Sequence, residues 1–196
     1  MAYAAVVIGV STGGVEALKV LLPALPASFP LPIAIVQHRD RRSDGFLADY
    51  LNAMTGIAVS EAEDKEPFCA AHAYLAPAGY HLLIESDRSL SLTVDERVNY
   101  SCPSIDVLFE SAANVFAQSL IGIVLTGANA DGAQGLKTIK ARGGLAVVQD
   151  PQTAAAMTMP RAALEATPVD HVVPLERIAP LLTQISARNE AYDTAG

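Results

Sequence analysis

Short, uninterrupted apolar runs alternate with segments of helical period along most of this 196-residue chain. That alternation narrows the fold to one class. Ala4 to Val10, Pro32 to Val36, Leu120 to Leu125 and Leu145 to Val148 lack the polar alternate positions of a half-exposed strand. They read as strands buried on both faces. Between them lie helical stretches: Val15 to Leu22, ending before Pro23, about Gly45 to Asn52, and Ala133 to Arg142. Ile105, Leu108, Phe109, Ala112, Ala113 and Phe116 recur on one face of a helix that begins near Ser104. A strand is expected around His171 to Val173, then a helix with Leu175, Ile178, Leu181, Leu182 and Ile185 on one face. Strands separated by helices predict an α/β fold: a three-layer, doubly wound, mostly parallel sheet.

The middle of the chain differs. Ile57 to Ser60, Ala73 to Ala76, His81 to Glu85 and Leu90 to Val94 are short strand-like runs, and Ser86-Asp87-Arg88-Ser89 reads as a hairpin tip. An antiparallel hairpin is therefore expected near residues 73–94. No repeat or linker interrupts the pattern, so one domain is expected over 1–188, with a C-terminal tail over 189–196.

Composition excludes several functions. Hydrophobic residues make up 51% and charged residues 17%, a globular balance. Mean hydropathy is +0.30, yet no apolar stretch approaches the roughly 18 residues of a membrane-spanning helix, so membrane insertion is not expected. A net charge of -8 argues against nucleic acid as a partner, since phosphate binding wants a basic surface. Two cysteines, Cys69 and Cys102, suggest no disulfide framework, and Met1-Ala2-Tyr3 carries no basic leader. Both features fit the cytoplasm. His72, His81 and His171 lack metal-ligand spacing, so neither a metal nor another cofactor is expected. Arg39, Arg41 and Arg42, interleaved with Asp40 and Asp44, read as a solvated loop that would flank His38 and hold an acidic protein surface.

In a doubly wound sheet, ligands bind outside the carboxyl ends of the strands. Three chemically suggestive residues lie there. Ser11 follows the first strand, within Gly9-Val10-Ser11-Thr12-Gly13-Gly14, where glycines permit a tight turn into a helix. His38 follows the second, in Ile35-Val36-Gln37-His38. Asp131 follows Ile121-Gly122-Ile123-Val124-Leu125, in Thr126-Gly127-Ala128-Asn129-Ala130-Asp131-Gly132. A serine hydroxyl needs a base to take its proton, a histidine supplies one, and a carboxylate fixes the imidazole tautomer. Taken singly, each has a plainer reading: a phosphate-cradling turn, a half-buried histidine, a turn aspartate. A small-ester α/β-hydrolase would use the order serine, acid, histidine, with His171 as the late histidine. A non-catalytic binding module of the same fold is the other alternative. A dinucleotide site is disfavoured, because the glycine pattern lacks that fingerprint.

Taken together, these segments resemble the catalytic domain of the chemotaxis receptor methylesterases (protein-glutamate methylesterases). The resemblance runs from Val6 to about Leu182 through Ile8-Gly9-Val10-Ser11-Thr12-Gly13-Gly14, Val36-Gln37-His38, Tyr74-Leu75-Ala76-Pro77 and Pro103-Ser104-Ile105-Asp106-Val107-Leu108-Phe109. It continues in Leu125-Thr126-Gly127, Asp131-Gly132-Ala133 and Met159-Pro160-Arg161. It implies a serine nucleophile at Ser11, a general base at His38 and an orienting acid at Asp131. Oxyanion donors are expected at Thr12, Gly13 or Ala128. The implied reaction is hydrolysis of glutamate methyl esters on cytoplasmic helices of chemoreceptors, and family members also deamidate receptor glutamines. Three departures are visible: Ala128-Asn129 replaces the family's usual methionine-glycine, Arg39-Asp40 replaces methionine-proline, and the usual basic residues are missing near Asn99-Tyr100-Ser101-Cys102. The resemblance begins within the first ten residues, with no preceding receiver domain, which implies regulation by a separate protein.

Overall fold

The computed structural model describes residues 2–40, 43 and 45–193, with 188–193 as backbone alone. In chain order the first elements are β1 (Ala5–Val10), α1 (Gly14–Leu21), β2 (Ile33–Gln37), α2 (Phe46–Asn52), β3 (Ala58–Glu61) and β4 (His72–Leu75). There follow β5 (His81–Ile84), β6 (Leu90–Thr93), α3 (Ile105–Phe116), β7 (Leu120–Val124) and α4 (Ala133–Ala141). The chain ends with β8 (Leu145–Gln149), α5 (Thr158–Ala166), β9 (His171–Val173) and α6 (Leu175–Asp193).

Every side chain of β1, β2 and β7 is buried, as their unbroken apolar sequences require. They lie at the centre of a seven-stranded sheet of order β3-β4-β2-β1-β7-β8-β9. All its pairings are parallel. Alternate residues of β1 feed two cores. Ala5 and Val7 face one built with α3, α4 and α5 (Leu108, Phe109, Leu136, Met159). Val6, Ile8 and Val10 face another built with α1 and α6 (Leu18, Leu21, Ile178, Leu182). This is the doubly wound, three-layer α/β arrangement read from the sequence. Among the described residues, no helix is long and apolar enough to cross a membrane.

Two details differ from the sequence reading. The antiparallel hairpin is confined to β5 and β6, which form a separate two-stranded sheet. The run near residue 73 instead joins the parallel sheet as β4, lodged between β2 and β3. Length explains this: four residues show burial but not strand direction. Second, α6 continues to Asp193, into the segment read as a tail, while 194–196 lie outside the described residues.

The crossover from β1 leads to β2 on one side, and the chain later returns as β7 on the other. The loops after β1, β2 and β7 therefore diverge at the topological switch point, where a crevice opens.

Candidate active site

Strand register sets the first two candidate residues side by side. Val10 pairs with Gln37, so Ser11 and His38 are the next residues along two adjacent parallel strands. The N–H of His38 donates to the Val10 carbonyl at 3.0 Å, and that of Ser11 to the Thr126 carbonyl at 2.9 Å. Gln37 fixes both corners from beneath, its Nε2 donating to the carbonyls of Ser11 (3.1 Å) and His38 (2.8 Å). Gly13 completes the turn at φ 78, and a Cβ there would stand 2.6 Å from Ala155 Cβ. Glycine is required on both counts. Thr126 ties this turn to the loop after β7, its hydroxyl donating to the Thr12 carbonyl at 2.8 Å.

Asp131 arrives from that same loop and is fully buried. Its Oδ2 lies 2.8 Å from His38 Nε2. The carboxylate also accepts from the Ile105 N–H (2.7 Å), the Asp106 N–H (3.1 Å), the Ser104 hydroxyl (3.0 Å) and Asn99 Nδ2 (3.1 Å). Asp131 thus sits on the amino end of α3, where unpaired N–H groups and the helix dipole favour a negative charge. Burial pushes its carboxyl upward, but hydrogen bonds from His38, Ile105 and Asn99 outweigh that and hold Asp131 below its ordinary value.

A second buried carboxylate answers the first. Asp106, in the first turn of α3, accepts from the N–H groups of Gly132 (2.9 Å) and Gly135 (2.7 Å) at the start of α4. Each helix is capped by an aspartate from the other's N-terminal region. Asn99 Nδ2 bridges the pair, reaching Asp106 Oδ2 at 2.7 Å. Asn99 itself holds φ 51, a conformation asparagine tolerates better than most residues. Burial, reinforced by the nearby Asp131 charge, pushes the Asp106 carboxyl up against the pull of its donors.

Asp131 occupies Nε2 of His38, so Nδ1 is the ring nitrogen left for a proton donor. Asn129 Nδ2 stands 3.3 Å from it. Among the described residues no hydrogen bond joins the Ser11 hydroxyl to His38, and the N–H groups of Thr12, Gly13 and Ala128 donate to no protein acceptor. His38 lines two depressions. One, about 600 Å³, is walled by Arg97, Tyr100 and Cys102, and the other, about 450 Å³, by Val15, Phe46 and Tyr50.

The structure therefore brings Ser11, His38 and Asp131 to one crevice. His171 is elsewhere. It is the first residue of β9, level with Ile8 through the pairings of β9 with β8, β8 with β7 and β7 with β1. Three strand spacings, about 14 Å, separate it from the β1 end, which removes the serine-acid-histidine order as an alternative. Arg39 is also not the solvated charge expected of it. Its guanidinium turns inward, pairs with Glu61 and donates to the Ala76 carbonyl at 2.9 Å. Arg41, Arg42 and Asp44 lie outside the described residues. Sequence reading missed Asn99, Ser104 and Asp106 as parts of the site. A serine and an aspartate opening an amphipathic helix signal a helix start, but not that a distant loop supplies its cap.

The chain is similar to known proteins in sequence and in fold. A sequence profile described as "CheB methylesterase" matches residues 6–182. A Leptospira interrogans protein is 55% identical over 189 residues, covering 96% of this chain and 98% of the relative. It is named, provisionally, a protein-glutamate methylesterase/protein-glutamine glutaminase. Protein-glutamate methylesterase/protein-glutamine glutaminase 1 of Carboxydothermus hydrogenoformans is 43% identical over 179 residues, 89% of this chain but 53% of that longer protein. The crystal structure of the Thermotoga maritima CheB methylesterase catalytic domain superposes with a TM-score of 0.90 at 31% identity, covering 94% of this chain and 100% of that domain.

Proposed function

The chain belongs to the CheB methylesterase family, and from that premise we propose that it hydrolyses glutamate methyl esters on chemotaxis receptors by a Ser11-His38-Asp131 triad. The observation that carries the reading is the buried Asp131 carboxylate 2.8 Å from His38 Nε2, beside Ser11 at the switch point of the sheet. With the proton of His38 held on Nε2 by Asp131, Nδ1 is the basic nitrogen. Ser11 Oγ attacks the ester carbonyl as Nδ1 takes its proton, giving a tetrahedral oxyanion and an imidazolium that Asp131 stabilises. The N–H groups of Thr12, Gly13 and Ala128 are the donors available to that oxyanion. Collapse of the intermediate expels methanol, which carries off the proton from Nδ1 and leaves an acyl-serine. Water, deprotonated by the same nitrogen, attacks the acyl carbon; the bond to Ser11 Oγ then breaks as Nδ1 returns the proton to that oxygen, and the product leaves and ionises to the glutamate carboxylate. A primary amide follows the same path with ammonia as leaving group, so receptor glutamines are the second substrate. The partner is then the cytoplasmic helical segment that carries the methylated glutamate, and the enzyme works in the cytoplasm.

Methanol release from methylated receptor tests the reading. Ser11→Ala and His38→Ala are each expected to lower the rate by about 10³-fold or more, because the groups act as a unit. Release by Ser11→Ala equal to that of the unaltered enzyme would refute the mechanism.

A further inference from the structure

Asn129 closes a ring of hydrogen bonds around the candidate base. Its Oδ1 accepts from the backbone N–H of Asp131 at 3.2 Å, and its Nδ2 faces His38 Nδ1 at 3.3 Å. His38 Nε2 in turn faces Asp131 Oδ2 at 2.8 Å. The direction of every bond in this ring is determined. A backbone N–H only donates, so the oxygen of the Asn129 amide must face Asp131. Its NH₂ then faces the imidazole, and Nδ1 must accept. The remaining ring proton lies on Nε2, where an ionised carboxylate awaits it. Turning the Asn129 amide over would set NH₂ against N–H and break the circuit.

We propose that Asn129 is a positioning residue that latches His38: it aims Nδ1 into the site and caps its lone pair until the Ser11 hydroxyl takes the amide's place. The inference rests on the proposed role of His38 as base, but it concerns the imidazole and not the ester. One consequence follows from the bond directions. Release of the amide is part of each turnover, because the same lone pair cannot accept from Asn129 and Ser11 at once.

The test pairs a spectroscopic readout with a kinetic one. In ¹⁵N-labelled protein, long-range imidazole correlations are expected to show neutral His38 protonated at Nε2, with the Nδ1 resonance moving when Asn129 is replaced by Gly or Ala. In steady-state kinetics, kcat/KM at neutral pH is expected to rise severalfold in Asn129→Gly and Asn129→Ala, because no amide has to leave. Neutral His38 protonated at Nδ1, or a kcat/KM unchanged or lowered in both folded variants, would overturn the latch. The ¹⁵N measurement repeated in Ser11→Ala separates the two ideas, since it reads the imidazole whether or not methanol release depends on Ser11.

Discussion

Asp131 and Asp106 are chemically identical residues, buried side by side and bridged by one asparagine amide, yet they are pushed in opposite directions. The difference lies in their donors. Asp131 gathers His38, Asn99, Ser104 and two α3 N–H groups, whereas Asp106 has Asn99 and two α4 N–H groups and also bears the field of Asp131. Linkage turns this into a stability statement. Asp131, depressed in the fold, binds its proton less readily than in the unfolded chain. Its stabilisation is present above the ordinary carboxylate range and is lost as pH falls through the folded value. Asp106, raised in the fold, does the reverse: its contribution grows as pH falls through its raised folded value and is complete below the unfolded value. The two partly cancel in the native protein. In Asp106→Asn the Asp131 contribution stands alone, so unfolding free energy should fall more steeply with acid through the carboxylate range than in the unaltered chain. Urea denaturation across that range measures the slope, and a shallower slope in the variant would contradict the assignment of the pair.

The elements themselves were largely legible, because the signals that produce them are local. Unbroken apolar runs gave β1, β2, β7 and β8, helical period gave α1, α3 and α4, and the rule of carboxyl ends then selected Ser11, His38 and Asp131 from many polar residues. Nothing local says that β4 inserts between β2 and β3, or that α3 and α4 exchange capping carboxylates. Those facts depend on which elements become neighbours. The contact between α3 and α4 is set by Gly135, where a Cβ would lie 2.5 Å from Phe109 Cβ and 3.1 Å from Asp106 Cα. Gly135→Ala sets two effects against each other. Helix propensity favours alanine by about 1 kcal/mol, whereas overpacking against a helix that cannot swing aside costs about 1–3 kcal/mol. The obstruction is backbone and Cβ, not the tip of a flexible side chain, so the steric term should win. A net loss of up to about 2 kcal/mol would lower Tm by up to roughly 8 °C in a chain of this size. Activity should fall as well, because spreading the two helices pulls Asp131 from the α3 N–H groups that hold it under His38. Scanning calorimetry and methanol release on the same sample read both effects, and an unchanged Tm would show that the helices have room to spare.

At the scale of the whole molecule, the crevice belongs to a chain of net charge -8, and the proposed reaction changes the charge of its substrate. A glutamate methyl ester is neutral, whereas the product carboxylate carries a negative charge. The summed field of the enzyme therefore opposes approach of an acidic segment and opposes the product more than the substrate. Arg39, next to His38 in the chain, does little to offset this, because its charge is spent on Glu61. Long-range repulsion acts on encounter, while the acyl-transfer step occurs at contact distances that salt screens weakly. Raising ionic strength from about 0.01 M, where the screening length is roughly 30 Å, to about 0.15 M, where it is roughly 8 Å, should then raise kcat/KM on a glutamate-rich methylated receptor segment. It should leave kcat nearly unchanged, and the gain should shrink as neighbouring glutamates in the segment are replaced by glutamine. A kcat/KM that falls with salt would locate a basic docking patch strong enough to outweigh the molecular charge, and would move the search for it to the Arg97 side of the cavity that His38 lines.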